Sequence, residues 1–121
     1  MKLLKHIHTF ILILFISSLA ASCNPKITSS IQKNYDSLEF DQVVNVYGLD
    51  ERIPENMEQI GQLKIRDTGF TTNCSYKNII NEAQLEARKV GGNAIKLTYH
   101  KKPNLWSTCH RVDAIILKTK K

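Results

Sequence analysis

Cysteine is scarce in this chain: three residues among 121, at Cys23, Cys74 and Cys109. So small a number permits one internal pairing at most, and the spacing is not that of a zinc finger. Tryptophan occurs once, at Trp106. Catalytic signatures are missing too. There is no Gly-x-Ser-x-Gly, no glycine loop able to cradle a phosphate and no His-Glu-x-x-His. The acidic residues are scattered, so nothing argues for an enzyme and no pattern implies a cofactor. The lysines have no interleaved aromatics, which argues against nucleic acid as a partner. Internal repeats and low-complexity tracts are absent. The longest apolar run, Ile7 to Leu19, is about 13 residues, short of the roughly 20 that a transmembrane helix needs.

What that run does fit is a secretory signal over residues 1–22. Met1 to His6 form a basic segment with no acid, the apolar run follows, and small residues close it as Leu19-Ala20-Ala21-Ser22. Cys23 comes next. The stretch Leu19-Ala20-Ala21-Ser22-Cys23 resembles the lipobox of bacterial lipoproteins, with Ala20 where that family usually has Leu. The resemblance implies cleavage before Cys23, acylation of its thiol, and a mature protein that sits on a membrane without spanning it. Asn24, rather than Asp, follows the cysteine. By the same resemblance the location is the outer membrane, with the domain facing the periplasm or the cell surface.

Removing residues 1–22 from the 121 leaves 99, enough for one small domain and not two. The signal takes Lys2 and Lys5 from the 17 basic residues and none of the 11 acidic ones, so the mature charge is +4. The excess lies at Lys101-Lys102 and near the C-terminus. It reads either as attraction to anionic headgroups or as a solvated surface. With Cys23 assigned to lipid, Cys74 and Cys109 are left to each other. In an oxidising compartment a disulfide between them is the default, closing a loop of about 35 residues.

Residues 23–40 are polar without a clear period and read as the lipidated N-terminus and a tether, leaving 41–121 as the domain. Val43 to Leu49 form a β-rich run. Met57 to Asp67 alternate, with Gly61, Leu63 and Ile65 on one face. Gly61 inside that run predicts a bulge or a close approach by another element. Tyr76, Ile79, Ile80, Ala83, Ala87 and Val90 recur at helical spacing, Ser75 is a candidate cap, and Gly91-Gly92 supply the stop. Asn93 to His100 and Arg111 to Thr119 return to strand, the last one apolar enough to be central. The expectation is an α+β domain in the order β-β-α-β-β, one helix on a small, mostly antiparallel sheet.

Few residues stand out for chemistry. Asp113 lies in an apolar strand and is expected to pair with Arg111 or Lys96. His100 and His110 flank Cys109, and with Cys74 they would suffice for a tetrahedral metal site. A disulfide consumes the thiolates that zinc needs, so the expectation is no metal, with His100 and His110 as the alternative ligands. Trp106, in a loop beside Cys109, is the candidate partner-binding residue. The competing reading has it lid the core or lie on the disulfide.

Gln59-Ile60-Gly61-Gln62-Leu63, a helix running into Ala87-Arg88-Lys89-Val90-Gly91-Gly92-Asn93-Ala94-Ile95, and then a strand, a cysteine and a last strand resemble the small β-β-α-β-β domains of the RcsF and YbjQ type. The likeness covers roughly residues 40–118. On the RcsF side it implies an outer-membrane lipoprotein that senses envelope stress and signals through protein contacts. On the YbjQ side it implies an oligomer with a heavy-metal link. This sequence departs from RcsF in having cysteines for only one disulfide in the domain.

Overall fold

The alternation of residues 57–67 becomes a ten-residue strand, and around it the other elements arrange. The computed structural model describes residues 1–17, 24–69 and 71–121. Its elements are α1 (Lys2–Ser17), β1 (Lys26–Ile31), β2 (Asn45–Tyr47), β3 (Met57–Arg66), α2 (Tyr76–Lys89), β4 (Ala94–Lys101) and β5 (Arg111–Thr119). Cys23 and the residues of the expected cleavage site lie outside the described residues. None of the described helices is long and apolar enough to cross a membrane.

Five strands form one sheet in the order β1-β3-β5-β4-β2. All neighbours are antiparallel except β2 and β4, which are parallel. The apolar strand β5 does take the centre. On one face Ile60, Leu63 and Ile65 of β3 meet Val112, Ala114 and Ile116 of β5 and Ile95 and Leu97 of β4, all buried. Helix α2 lays Ile79, Ala83 and Ala87 on that face. The two alanines let the helix approach closely, and each fully buried isoleucine contributes about 1.5–3 kcal/mol. The other face turns Gln62, Lys64 and Tyr99 to solvent.

The ends of α2 follow from the sequence around them. Ser75 caps the start, its hydroxyl accepting from the Asn78 amide at 3.3 Å. At the other end Gly91 adopts φ +79°, Gly92 N–H donates to Ala87 O (2.8 Å) and Gly91 N–H to Arg88 O (3.1 Å). That is a Schellman motif, which an L side chain at position 91 would strain. Gly61 satisfies both expectations for it. A register shift separates it from Gln59, and a Cβ there would stand 2.8 Å from the Ile31 side chain and 3.1 Å from Ser30 O.

Two sequence expectations need correction. The domain does not begin after a tether at residue 41. Lys26–Ile31 is an edge strand in register with β3 from Lys26–Arg66 to Ile31–Gly61, so the β-β-α-β-β order gains a strand at its start. Its burial is almost all exposed, with only Ile27 half covered, so no period-two apolar signal marked it. Backbone bonding to β3 holds it instead. Residues 32–44 then form a strap from this edge to the other. Tyr35 N–H donates to Val90 O (3.1 Å), Leu38 N–H to Arg88 O (3.0 Å), and Lys33 bridges to Glu58 at 2.7 Å. The Tyr35 hydroxyl also bonds the Glu58 carboxylate, and these contacts, Lys33 foremost, hold that carboxyl below its ordinary range.

The second correction concerns Asp113. It pairs with neither Arg111 nor Lys96 but with Arg66 on the adjacent strand, at 2.6 Å. Lys96 is taken by the carbonyls of Gly48, Leu49 and Glu51, and Arg111 donates to Lys102 O at 3.3 Å. Partners across strands and loops outcompeted neighbours along the chain.

Candidate functional site

The loop between β4 and β5 concentrates the residues singled out in the sequence. Cys74 stands just before the cap of α2, Cys109 just before β5, and the two form a disulfide. His110 N–H donates to Cys74 O at 3.3 Å, a second tie across the same junction. The rest of the loop is fixed by polar contacts. Ser107 donates its hydroxyl to Asp67 Oδ2 at 2.7 Å and accepts from the Cys109 amide at 3.3 Å. Asn104 Oδ1 accepts from the amides of Trp106 and Ser107, each at 3.0 Å, and Asn104 N–H donates to Ser107 O at 2.8 Å. These bonds set a tight turn whose tip is Leu105-Trp106.

Both tip side chains are in water. Trp106 is 94% exposed and Leu105 fully so. The reading in which Trp106 lids the core or lies on the disulfide therefore does not hold: Asn104 and Ser107 turn the backbone so that the indole points away. Leaving an indole in water forgoes roughly 25 cal/mol for each Å² that burial would remove.

Beside the disulfide the structure brings His100 and His110 together. His100 Nε2 lies 2.9 Å from His110 Nδ1, and the Tyr76 ring lies tilted against the His100 imidazole at 4.9 Å and edge-on to that of His110 at 5.7 Å. Burial first, then the neighbouring His110 and Lys102, push the His100 imidazole below its ordinary value, which favours the neutral ring. A neutral pair shares one hydrogen bond, whereas two imidazolium rings at this distance would repel. Cys74 and Cys109 are near but bonded to each other. Among the described residues no three His, Cys, Asp or Glu side chains gather as a metal-holding group.

A second exposed apolar patch was not read from the sequence. Phe40 and Val43 on the strap, with Leu85 of α2, are open to solvent although the backbone beneath them is tied down. Arg88 donates to Phe40 O (2.9 Å) and Gln42 O (2.6 Å), and Gln84 donates to Val44 O (2.8 Å). Nothing local in residues 40–44 announces this, because the bonds come from a helix 40 to 48 positions later. The part played by Asp67 and Ser107 was missed for the same reason. Ser107 and the Gly69 amide hold the Asp67 carboxyl below its usual range.

Comparison with protein-family models, with curated proteins and with solved structures returns no significant match.

Proposed function

We propose that this chain is a lipid-anchored protein of the bacterial envelope whose domain works by contact with another protein rather than by catalysis. The observation that carries the contact reading is apolar surface in water on backbone that is held rigid. Leu105-Trp106 and Phe40-Val43-Leu85 are both such places. Rigid exposed aromatics lose little entropy on binding and make effective anchors. The lipobox-like stretch ending at Cys23 supports the lipid anchor, and Asn24 supports the outer membrane. The resemblance to the RcsF-type domain supports a role in sensing or signalling envelope stress.

Two experiments test this. Metabolic labelling with palmitate should mark the wild type and not Cys23→Ala, which should leave the membrane fraction. Photo-crosslinkers placed at Val43 and at Trp106 in cells should give a discrete protein adduct at one position or both. The Val43 adduct should be lost on Phe40→Asp. No adduct at either position would defeat the protein-contact reading.

A second reading, metal or small-ligand binding, has one observation in its favour: two ring nitrogens of His100 and His110 lie 2.9 Å apart beside Tyr76. Equilibrium dialysis of the oxidised protein against zinc and copper tests it. Binding lost on His110→Ala would favour it, and no binding would remove it.

A further inference from the structure

The register of the sheet fixes which residues share its ends. Lys26 pairs with Arg66, and Ile65 with Val112, which pairs with His100. One end is therefore built from the start of β1, the end of β3, the start of β5 and the end of β4. The β4–β5 loop with Leu105-Trp106 projects from that same end. The other end, where Met57 pairs with Thr119, is about 30 Å away along the ten residues of β3.

Chain geometry ties the first of these ends to Cys23. Only Asn24 and Pro25 separate Cys23 from Lys26, and Pro25 is already buried. Three peptide units at 3.8 Å bring the Lys26 Cα within about 11 Å of the Cys23 Cα. A lipid on Cys23 would thus hold this end of the sheet, and not the far one, at the membrane.

The chemistry of the end suits such a surface. Lys26, Lys101, Lys102 and Arg111 bring positive charge to it. Of its carboxylates, Asp113 is paired with Arg66, while Asp67 keeps its charge under the bonds from Ser107 and Gly69, so the four cations still outnumber the free acid. Trp favours the boundary between water and hydrocarbon, and cations beside it favour anionic headgroups. Arg111 donates to Lys102 O and so braces the loop at its base.

We propose that this end of the domain docks on the bilayer and that Leu105-Trp106 enters the headgroup region as a second attachment beside the lipid on Cys23. The proposal rests on the lipidation reading of Cys23. It leaves the Phe40-Val43-Leu85 patch as the surface for a protein partner.

The test uses the full chain, processed in a bacterial host, purified in detergent and reconstituted into vesicles of phosphatidylethanolamine with phosphatidylglycerol. Trp106 is the only tryptophan, so its fluorescence reports the loop alone. The mass of the mature protein and its flotation with the vesicles report the anchor separately. Expected is a blue-shifted emission, shielding from acrylamide, and quenching by lipids brominated near the headgroup. Leu105→Asp, at a side chain that touches nothing, should restore acrylamide quenching with the melting temperature unchanged. Vesicles of phosphatidylcholine alone should shield Trp106 less.

If the protein carries lipid and floats but Trp106 stays open to acrylamide, docking is wrong and the anchor stands. An unacylated protein that does not float overturns the anchor and docking together. Shielding that appears only in whole envelopes assigns the tip to a protein partner, and shielding that grows with protein density assigns it to a second copy. Either result overturns the bilayer as occupant.

Discussion

Replacing both Cys74 and Cys109 by alanine should remove a large share of the domain's stability. The bond closes a separation of 35 residues. Loop-closure entropy for that length is about 13 cal/mol/K, or about 4 kcal/mol at 25 °C. Domains of this size have roughly 5–15 kcal/mol in all. An unfolding entropy near 2.1 cal/mol/K per residue over the folded part makes 4 kcal/mol a fall in Tm of about 20 °C. The measurement is thermal and urea unfolding of the chain from Asn24 onward, which lacks Cys23, so that reductant acts on one bond only. The double variant and the reduced wild type should agree. A loss below about 1 kcal/mol would refute the reasoning, since it would mean that the cross-link does not limit the unfolded chain as a 35-residue loop must.

Other outcomes follow from the same contacts. Gly91→Ala forces a Cβ against Asp36 O at 2.5 Å and puts alanine at φ +79°. The left-handed backbone alone costs about 1–2 kcal/mol, so denaturant melts should show at least that loss. Trimming the chain to begin at Gln32 strips β1 from β3. With net worth near 1 kcal/mol per backbone hydrogen bond, unfolding should shift by several kcal/mol, where removal of a tether would change nothing. Lowering the pH should destabilise the fold from its ordinary His value of 6.5 downward. His100 is held neutral when folded, so the unfolded chain takes up the proton first. The loss starts near 6.5 and levels off below the depressed folded value. Tm measured against pH should show this slope for wild type and a weaker one for His100→Gln.

Legibility followed the strength of local pattern. Helix α2 was readable because its apolar spacing, its Ser75 cap and its Gly91-Gly92 stop all agree, and the sheet centre because β5 is nearly unbroken in apolar residues. Edge strand β1 was not. It has one half-covered isoleucine, and pairing with β3, far along the chain, leaves no trace in its own composition. The other edge, β2, was legible in the β-rich run Val43 to Leu49, although only Asn45–Tyr47 pairs. The site divided in the same way. Cysteine arithmetic brought Cys74 to Cys109, but the exposure of Trp106 depends on Asp67, 40 positions from the Ser107 it binds. Asp113 shows the limit most simply: its partner Arg66 is 47 residues away, opposite a closer-looking Arg111.

The short link between Cys23 and β1 bears on why two apolar residues would suffice at a membrane. A Trp and a Leu reaching headgroups, helped by lysines that contribute about 1 kcal/mol each near an anionic surface, amount to only a few kcal/mol. Free in solution that is an affinity near the millimolar range. A flexible tether of 17 residues would let the domain turn any face to the bilayer and would dilute the tip among them. With Pro25 buried and β1 starting at Lys26, on the proposed anchor the tip is instead confined near the surface. Its effective concentration reaches millimolar or above, and contact no longer has to overcome the loss of free rotation. The same weak tip should therefore hold the anchored domain to the membrane while the chain from Asn24 onward, without lipid, shows no measurable vesicle binding.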